Sequence, residues 1–203
     1  GTLKKNKKKK INKDFYDVEK EFFLKNLLEN LKKETRIFSS TGYNSRELIH
    51  LRDKIKSKNS KDFYMVGGMG HTTSVALGYS LFKKNQTICI DGDGSLLMHL
   101  GSIKTAGTFA NKNFKYILLN NNSHDSVGGQ NTYANKIDFR GFSKSIGFKN
   151  FYSIKRQNDV KKILKKFLSQ NNLSFLEVKI ANSKIKKLPR PKNLIKIKNK
   201  FIK

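Results

Sequence analysis

Asp91 and Asp93 stand in the stretch ICIDGDGSLLMHLGS, residues 88–102, between two apolar runs. Gly92 and Gly94 let the chain turn tightly and bring its backbone close to a ligand. Ser95 then opens a helix whose first N–H groups and dipole favour an anion. Asp93 carries a negative charge into that same anion site. A divalent cation reconciles the two, binding the carboxylate on one side and phosphate oxygens on the other. Mg2+ suits the arrangement best, being content with one or two protein oxygens plus phosphate and water. A second ligand is expected from the next strand end, where Asn120 and Asn121 offer neutral hard oxygens.

Rival motifs fail on particular residues. An EF-hand loop from Asp91 needs Gly at 96 and Glu at 102 and finds Leu96 and Ser102. A dinucleotide fingerprint from Gly92 needs a third Gly where Leu97 stands, and the chain holds no GxxxxGK[ST] loop. His71 and His124 fall in neighbouring turns and are the candidates for contacting substrate or shuttling a proton, with Asp125 able to orient His124. His99 reads instead as a packed, hydrogen-bonded helix residue.

The elements that position these residues follow from periodicity. Phe15, Val18, Phe22, Phe23, Leu27, Leu28 and Leu31 recur at helical spacing and predict one helix over 14–31. Strands are expected at TRIF, FYMV, TICI, KYILL, FYSI and SFLEVKI. Helices are expected near 45–55 and 72–82, over 95–109 as a single element, and near 139–146 and 158–168. This alternation argues for a mainly parallel sheet covered on both faces, a three-layer α/β/α fold. In such sheets ligands bind beyond the carboxyl ends of the strands. There SSTG (39–42), GGMG (67–70), DGDGS (91–95) and NNNSHDSVGGQ (120–130) would converge. Residues 1–13 read as a basic linker, 14–182 as the folded domain and 183–203 as an irregular basic tail.

Composition narrows the class. The 203 residues can bury a sizeable core, and no apolar run reaches the roughly 18 residues that span a bilayer. The single cysteine, Cys89, excludes an internal disulfide and fits a reducing, cytoplasmic setting. The formal charge of +28 invites a nucleic-acid reading, but only six of the 43 basic residues are Arg and the Lys are spread diffusely. Genome bias accounts for them better. A basic nucleic-acid-binding module remains the alternative of another class, and it predicts tight binding at physiological salt.

Gly92-Asp93-Gly94 separated by 25 residues from Asn120-Asn121 resembles the signature of thiamine-diphosphate enzymes. Together STGYNSREL, FYMVGGMGH, IDGDGSLLMHLGS and LNNNSHDSVGGQ look like the C-terminal, diphosphate-binding domain of the phosphonopyruvate decarboxylase family, with sulfopyruvate decarboxylase a close cousin. The resemblance covers about residues 14–180. It implies Asp93, Asn121 and the Ser123 carbonyl as Mg2+ ligands, and Gly92, Gly94, Ser95, Ser40, Thr41 and Gly42 around thiamine diphosphate. It further implies Met69 as the wedge beneath the bent cofactor and the Gly67 carbonyl as acceptor from the aminopyrimidine. Two positions depart from the pattern: Gly68 stands where Ser is expected and Asn122 where Gly is expected. The implied activity is decarboxylation of a small anionic 2-oxo acid, with the cofactor as electron sink and an aldehyde released. The Glu that starts such a reaction comes from a pyrimidine-binding domain absent from these residues. The chain is therefore expected to be half of an active site, paired with that domain or subunit in a homo-oligomer and inactive alone.

Overall fold

A computed structural model describes residues 16–55, 61–181, 188, 190, 191 and 193–202. The chain alternates α1 (Lys20–Glu29), β1 (Arg36–Ser39), α2 (Tyr43–Lys54), β2 (Phe63–Tyr64), α3 (Thr72–Phe82), β3 (Thr87–Gly92), α4 (Asp93–Met98) and α5 (Leu100–Phe109). It continues with β4 (Phe114–Asn120), α6 (Phe139–Ser145), β5 (Asn150–Ile154), α7 (Val160–Ser169), β6 (Ser174–Lys179) and α8 (Leu194–Ile202).

The strands form one six-stranded sheet in the order β2-β1-β3-β4-β6-β5. Every pairing is parallel. A central parallel strand is covered on both faces, so its residues can be apolar without alternation. β4, FKYILLN, is buried along its whole length. Successive residues feed opposite layers: Ile37, Ile88, Ile117 and Leu176 pack with α1, α2 and α7. Phe38, Cys89, Tyr116 and Phe175 pack with α3, α5 and α6. The helices bury one stripe each, as α7 does with Val160, Leu164 and Phe167 while its lysines stay outside. The result is the expected α/β/α sandwich.

The strand order creates one topological switch point. From β1 the chain moves outward to β2, and from β3 it moves the other way to β4. Adjacent strands whose connections diverge leave a crevice at their carboxyl ends. Here that crevice opens between Ser39-Ser40 and Gly92-Asp93.

Four expectations need correction. The first helix begins only at Lys20, because Val18 pairs in parallel with Ile180 and so extends the sheet; residues 14 and 15 lie outside the described residues. The helix expected over 95–109 is two helices that begin at Asp93 and break at His99 (φ −141°, ψ 57°). His99 is exposed there rather than packed. The tail is not wholly irregular: α8 returns to the domain and Phe201 sets its ring 5.4 Å from Phe38, 5.5 Å from Phe63 and 5.7 Å from Tyr79. The linker at 1–13 and residues 183–187 lie outside the described residues.

Candidate functional site

Ser40, Thr41, Met69, Gly92, Asp93, Gly94, Ser95, Asn121, Ser123 and His124 line one open cleft at the switch point. Three of the anticipated residues stand apart from its wall. Gly42 caps the start of α2 with φ 88°, its α-carbon facing the Ser126 hydroxyl. Gly67 is exposed, at φ 71°. His71 caps α3 from the outer side: Gly70, at φ 89°, turns the chain away, and the His71 ring lies 4.8 Å from that of His99. Its Nδ1 is 3.3 Å from the Met69 carbonyl, and the ring is exposed. The structure therefore removes His71 from the cleft and keeps His124 in it.

Beneath the cleft, Asp91 is 1 % exposed and joins its walls together. Its carboxylate accepts from the Tyr116 hydroxyl at 3.1 Å, the Thr73 hydroxyl at 3.4 Å and the Gly92 N–H at 3.0 Å. The nearby hydroxyls of Ser95 and Ser40 also favour its ionised form. Burial pushes this carboxyl upward, and the donors pull it back toward the ionised form. Ser95 Oγ in turn accepts from the Gly70 N–H at 3.1 Å, and Ser40 Oγ accepts from the Asn44 amide at 3.0 Å. One carboxylate thus ties the turn after β1, the start of α3, the DGDGS turn and β4. Both serine hydroxyls are spent inward, so the main-chain N–H groups are what these turns offer an anion.

Asp93 is 2 % exposed and accepts from the Thr132 hydroxyl. Burial pushes its carboxyl upward, opposed by Thr132, by its own and the Gly94 backbone N–H groups and by the His124 charge. The Asn121 side chain donates to Asp125 at 2.6 Å, and its oxygen accepts from the Ser123 N–H at 3.2 Å. The Asn120 side chain is elsewhere, buried and donating to Glu177 at 2.9 Å. His124 lies so close to Gly94 that a Cβ there would meet its Nδ1 at 2.4 Å. The loop carrying Asn121 to Thr132 folds back on itself through a bridge between Ser123 and Asn131 and the His124 N–H to Gln130 carbonyl bond of 2.8 Å.

Both departures from the motif pattern have backbone reasons. Asn122 takes φ 58°, the left-handed region that Gly favours and Asn tolerates. Gly68 takes φ 53° in the same region, where a serine would be strained.

Sequence reasoning missed Thr132, whose role depends on the loop folding back, and the pair of Lys20 and Glu47. Lys20 is the one Lys or Arg among the described residues lining the cleft, and its Nζ lies 3.0 Å from Glu47 Oε1. Asp93 and Asp125 share the cleft with it. In a chain of net charge +28, this crevice is locally acidic.

Residues 41–178 match the family model for the thiamine pyrophosphate enzyme C-terminal TPP-binding domain. The chain belongs to the thiamine pyrophosphate enzymes. It is 34% identical over 169 residues to a phosphonopyruvate decarboxylase of Streptomyces viridochromogenes, covering 83% of this chain and 41% of that protein. Similarity to a phosphonopyruvate decarboxylase of Streptomyces hygroscopicus is 33% over the same shares. The beta subunit of a sulfopyruvate decarboxylase of Methanocaldococcus jannaschii is 37% identical over 113 residues, covering 56% of this chain and 57% of that subunit. The chain thus spans less than half the length of the phosphonopyruvate decarboxylases it matches. Among its described residues no helix is long and apolar enough to cross a membrane.

Proposed function

We propose that this chain is the cofactor-binding half of a Mg2+-dependent 2-oxo-acid decarboxylase that converts phosphonopyruvate to phosphonoacetaldehyde and CO2. The observation that carries this reading is the buried Asp93 carboxylate facing a cleft it shares with Asn121 and Ser123 at the switch point. A carboxylate, an amide oxygen and a main-chain carbonyl are the hard donors that Mg2+ takes, and among the described residues no group of three or more His, Cys, Asp or Glu offers a rival site. A cation there offsets the cleft's acidity and lets a diphosphate enter. The residues present fit the cofactor.

Asp93, Asn121 and the Ser123 carbonyl would hold the metal, and the main chain at Gly94 and Ser95 and in the Ser40–Gly42 turn would bind the diphosphate. Met69 would wedge the cofactor into its bent form, and the Gly67 carbonyl would accept from the aminopyrimidine. Bound in this way, thiamine diphosphate supplies the electron sink for loss of CO2. His124, packed on Gly94 at the mouth, is the side chain placed to meet an anionic substrate or hold a proton beside it. The initiating Glu comes from a pyrimidine-binding partner, as a domain or as a subunit; the beta-subunit relatives support a partner of the second kind. We place the assembly in the cytoplasm as an oligomer.

Phosphonopyruvate is favoured because the two relatives so named match 83% of the chain. Sulfopyruvate is the second reading, resting on the beta-subunit match. The test is turnover of each acid by the chain combined with a pyrimidine-binding partner, Mg2+ and thiamine diphosphate. Higher kcat/KM for phosphonopyruvate, and no turnover by the chain alone, is the expected result. Turnover by the chain alone, or of neither acid by the assembly, overturns the reading.

A further inference from the structure

We propose that Lys20 is the cation that meets the terminal phosphoryl group of the bound diphosphate, so that the cleft discriminates diphosphates from monophosphates. This rests on the cofactor reading above and adds a residue to it. Lys20 opens α1 and is 7 % exposed. Its ammonium pairs with Glu47 on α2 at 3.0 Å and lies 5.9 Å from the centre of the Tyr43 ring. Lys20 lines the cleft, whereas Glu47 does not. The carboxylate thus holds the ammonium in place, and it is Lys20 rather than its partner that reaches the cleft.

The placement is informative because it is costly. Burying an ion pair loses hydration that mutual attraction only partly returns, and two apolar side chains would join α1 to α2 at least as well. This chain keeps 43 basic residues, yet places one Lys or Arg, among the described residues, at this cleft. The same wall carries Ser40, Thr41, Tyr43 and Asn44, the turn and first helical residues of α2. Lys20 and the α2 turn therefore present positive charge together, on a different element from Asp93 and Asn121. A metal held at Asp93 and an ammonium at Lys20 would give a diphosphate two cationic partners on different elements, and a monophosphate carries less charge to meet them.

The experiment measures binding of thiamine diphosphate and thiamine monophosphate, with Mg2+, to the chain assembled with its pyrimidine-binding partner, by calorimetry. Three chains are compared: wild type, Lys20→Arg and the double variant Lys20→Met/Glu47→Leu, which removes both buried charges and leaves neither unpaired. The wild type should prefer the diphosphate, and the double variant should lose about 10-fold or more of that preference, in line with hydrogen bonds to charged groups. Its thermal midpoint should stay near that of the wild type. Lys20→Arg should retain most of the preference. An unchanged diphosphate-to-monophosphate ratio in the folded double variant would show Lys20 to be only a tie between helices and overturns the proposal. Should the double variant not fold, Lys20→Gln is judged by the same ratio. A wild type that binds neither ligand overturns the cofactor reading, and Lys20 falls with it.

Discussion

Replacing Gly94 by Ala tests the placement of His124 against the floor of the cleft. The new methyl would stand 2.4 Å from His124 Nδ1 and 2.5 Å from Cε1. That is about 1 Å inside ordinary contact between heavy atoms, so the ring must leave. The backbone raises no objection of its own: Gly94 is the second residue of α4 and is not among the glycines at positive φ. At a compatible position Gly→Ala stabilises by about 0.4–1 kcal/mol, mainly by restricting the unfolded chain. In a His124→Ala background that gain should appear in full. With His124 present, displacing a half-buried ring should cancel it, leaving about zero or a loss of up to ~1 kcal/mol. The coupling energy of the cycle should therefore be about 1 kcal/mol, measurable by urea denaturation of the four proteins. A coupling indistinguishable from zero would mean that the ring does not lie over Gly94, and the assignment of His124 to the mouth of the cleft would fail with it.

Tyr116→Phe removes a fully buried hydroxyl that donates to Asp91 at 3.1 Å, and should cost about 1.5–3 kcal/mol in chemical denaturation. Lys115 is 1 % exposed and donates to the carbonyls of Gln170 and Asn172, while burial pushes its ammonium from 10.5 down to about 8. A lowered Lys pKa means that the unfolded chain binds the extra proton between about pH 8 and 10.5. This group should then add up to roughly 3 kcal/mol of stability as pH rises through that window. Lys115→Met should flatten the rise relative to wild type, as read from denaturation midpoints at each pH. Phe201→Ala withdraws the ring seated among Phe38, Phe63 and Tyr79, and should cost about 1–2 kcal/mol while speeding amide exchange across α8. Diphosphate binding should be untouched by that change.

Local pattern revealed what local physics decides. The strands are apolar runs bounded by turn residues, and the order of strand and helix alone implied a parallel sheet with its site at the carboxyl edge. Asp93 and Asn121 were legible because a carboxylate beside glycines at a strand end is unusual in so basic a chain. Lys20 and Glu47 were not, since their pairing depends on how α1 crosses α2, and a Lys in a Lys-rich helix carries no signal. The role of Asp91 was not legible; Tyr116 and Thr73, its partners, lie 25 and 18 residues away on other elements. The break at His99 was hidden because both halves keep helical periodicity. The return of Phe201 was hidden because its aromatic cage is assembled from β1, β2 and α3.

The shared Asp91 carboxylate has a consequence for how this site can diverge. Thr73 and Tyr116 donate to the same buried group and the Ser40 and Ser95 hydroxyls favour its charge, so the three turns cannot drift independently. A change at one leaves an unmet acceptor felt by the others, and viable sequences should vary these five positions together or not at all. Variation that tunes a ligand has freer ground at Met69 and His124, which line the same cleft outside that mutual constraint. The crevice thus divides into a frame inherited as a block and a rim open to selection, and engineering of its specificity should begin at the rim.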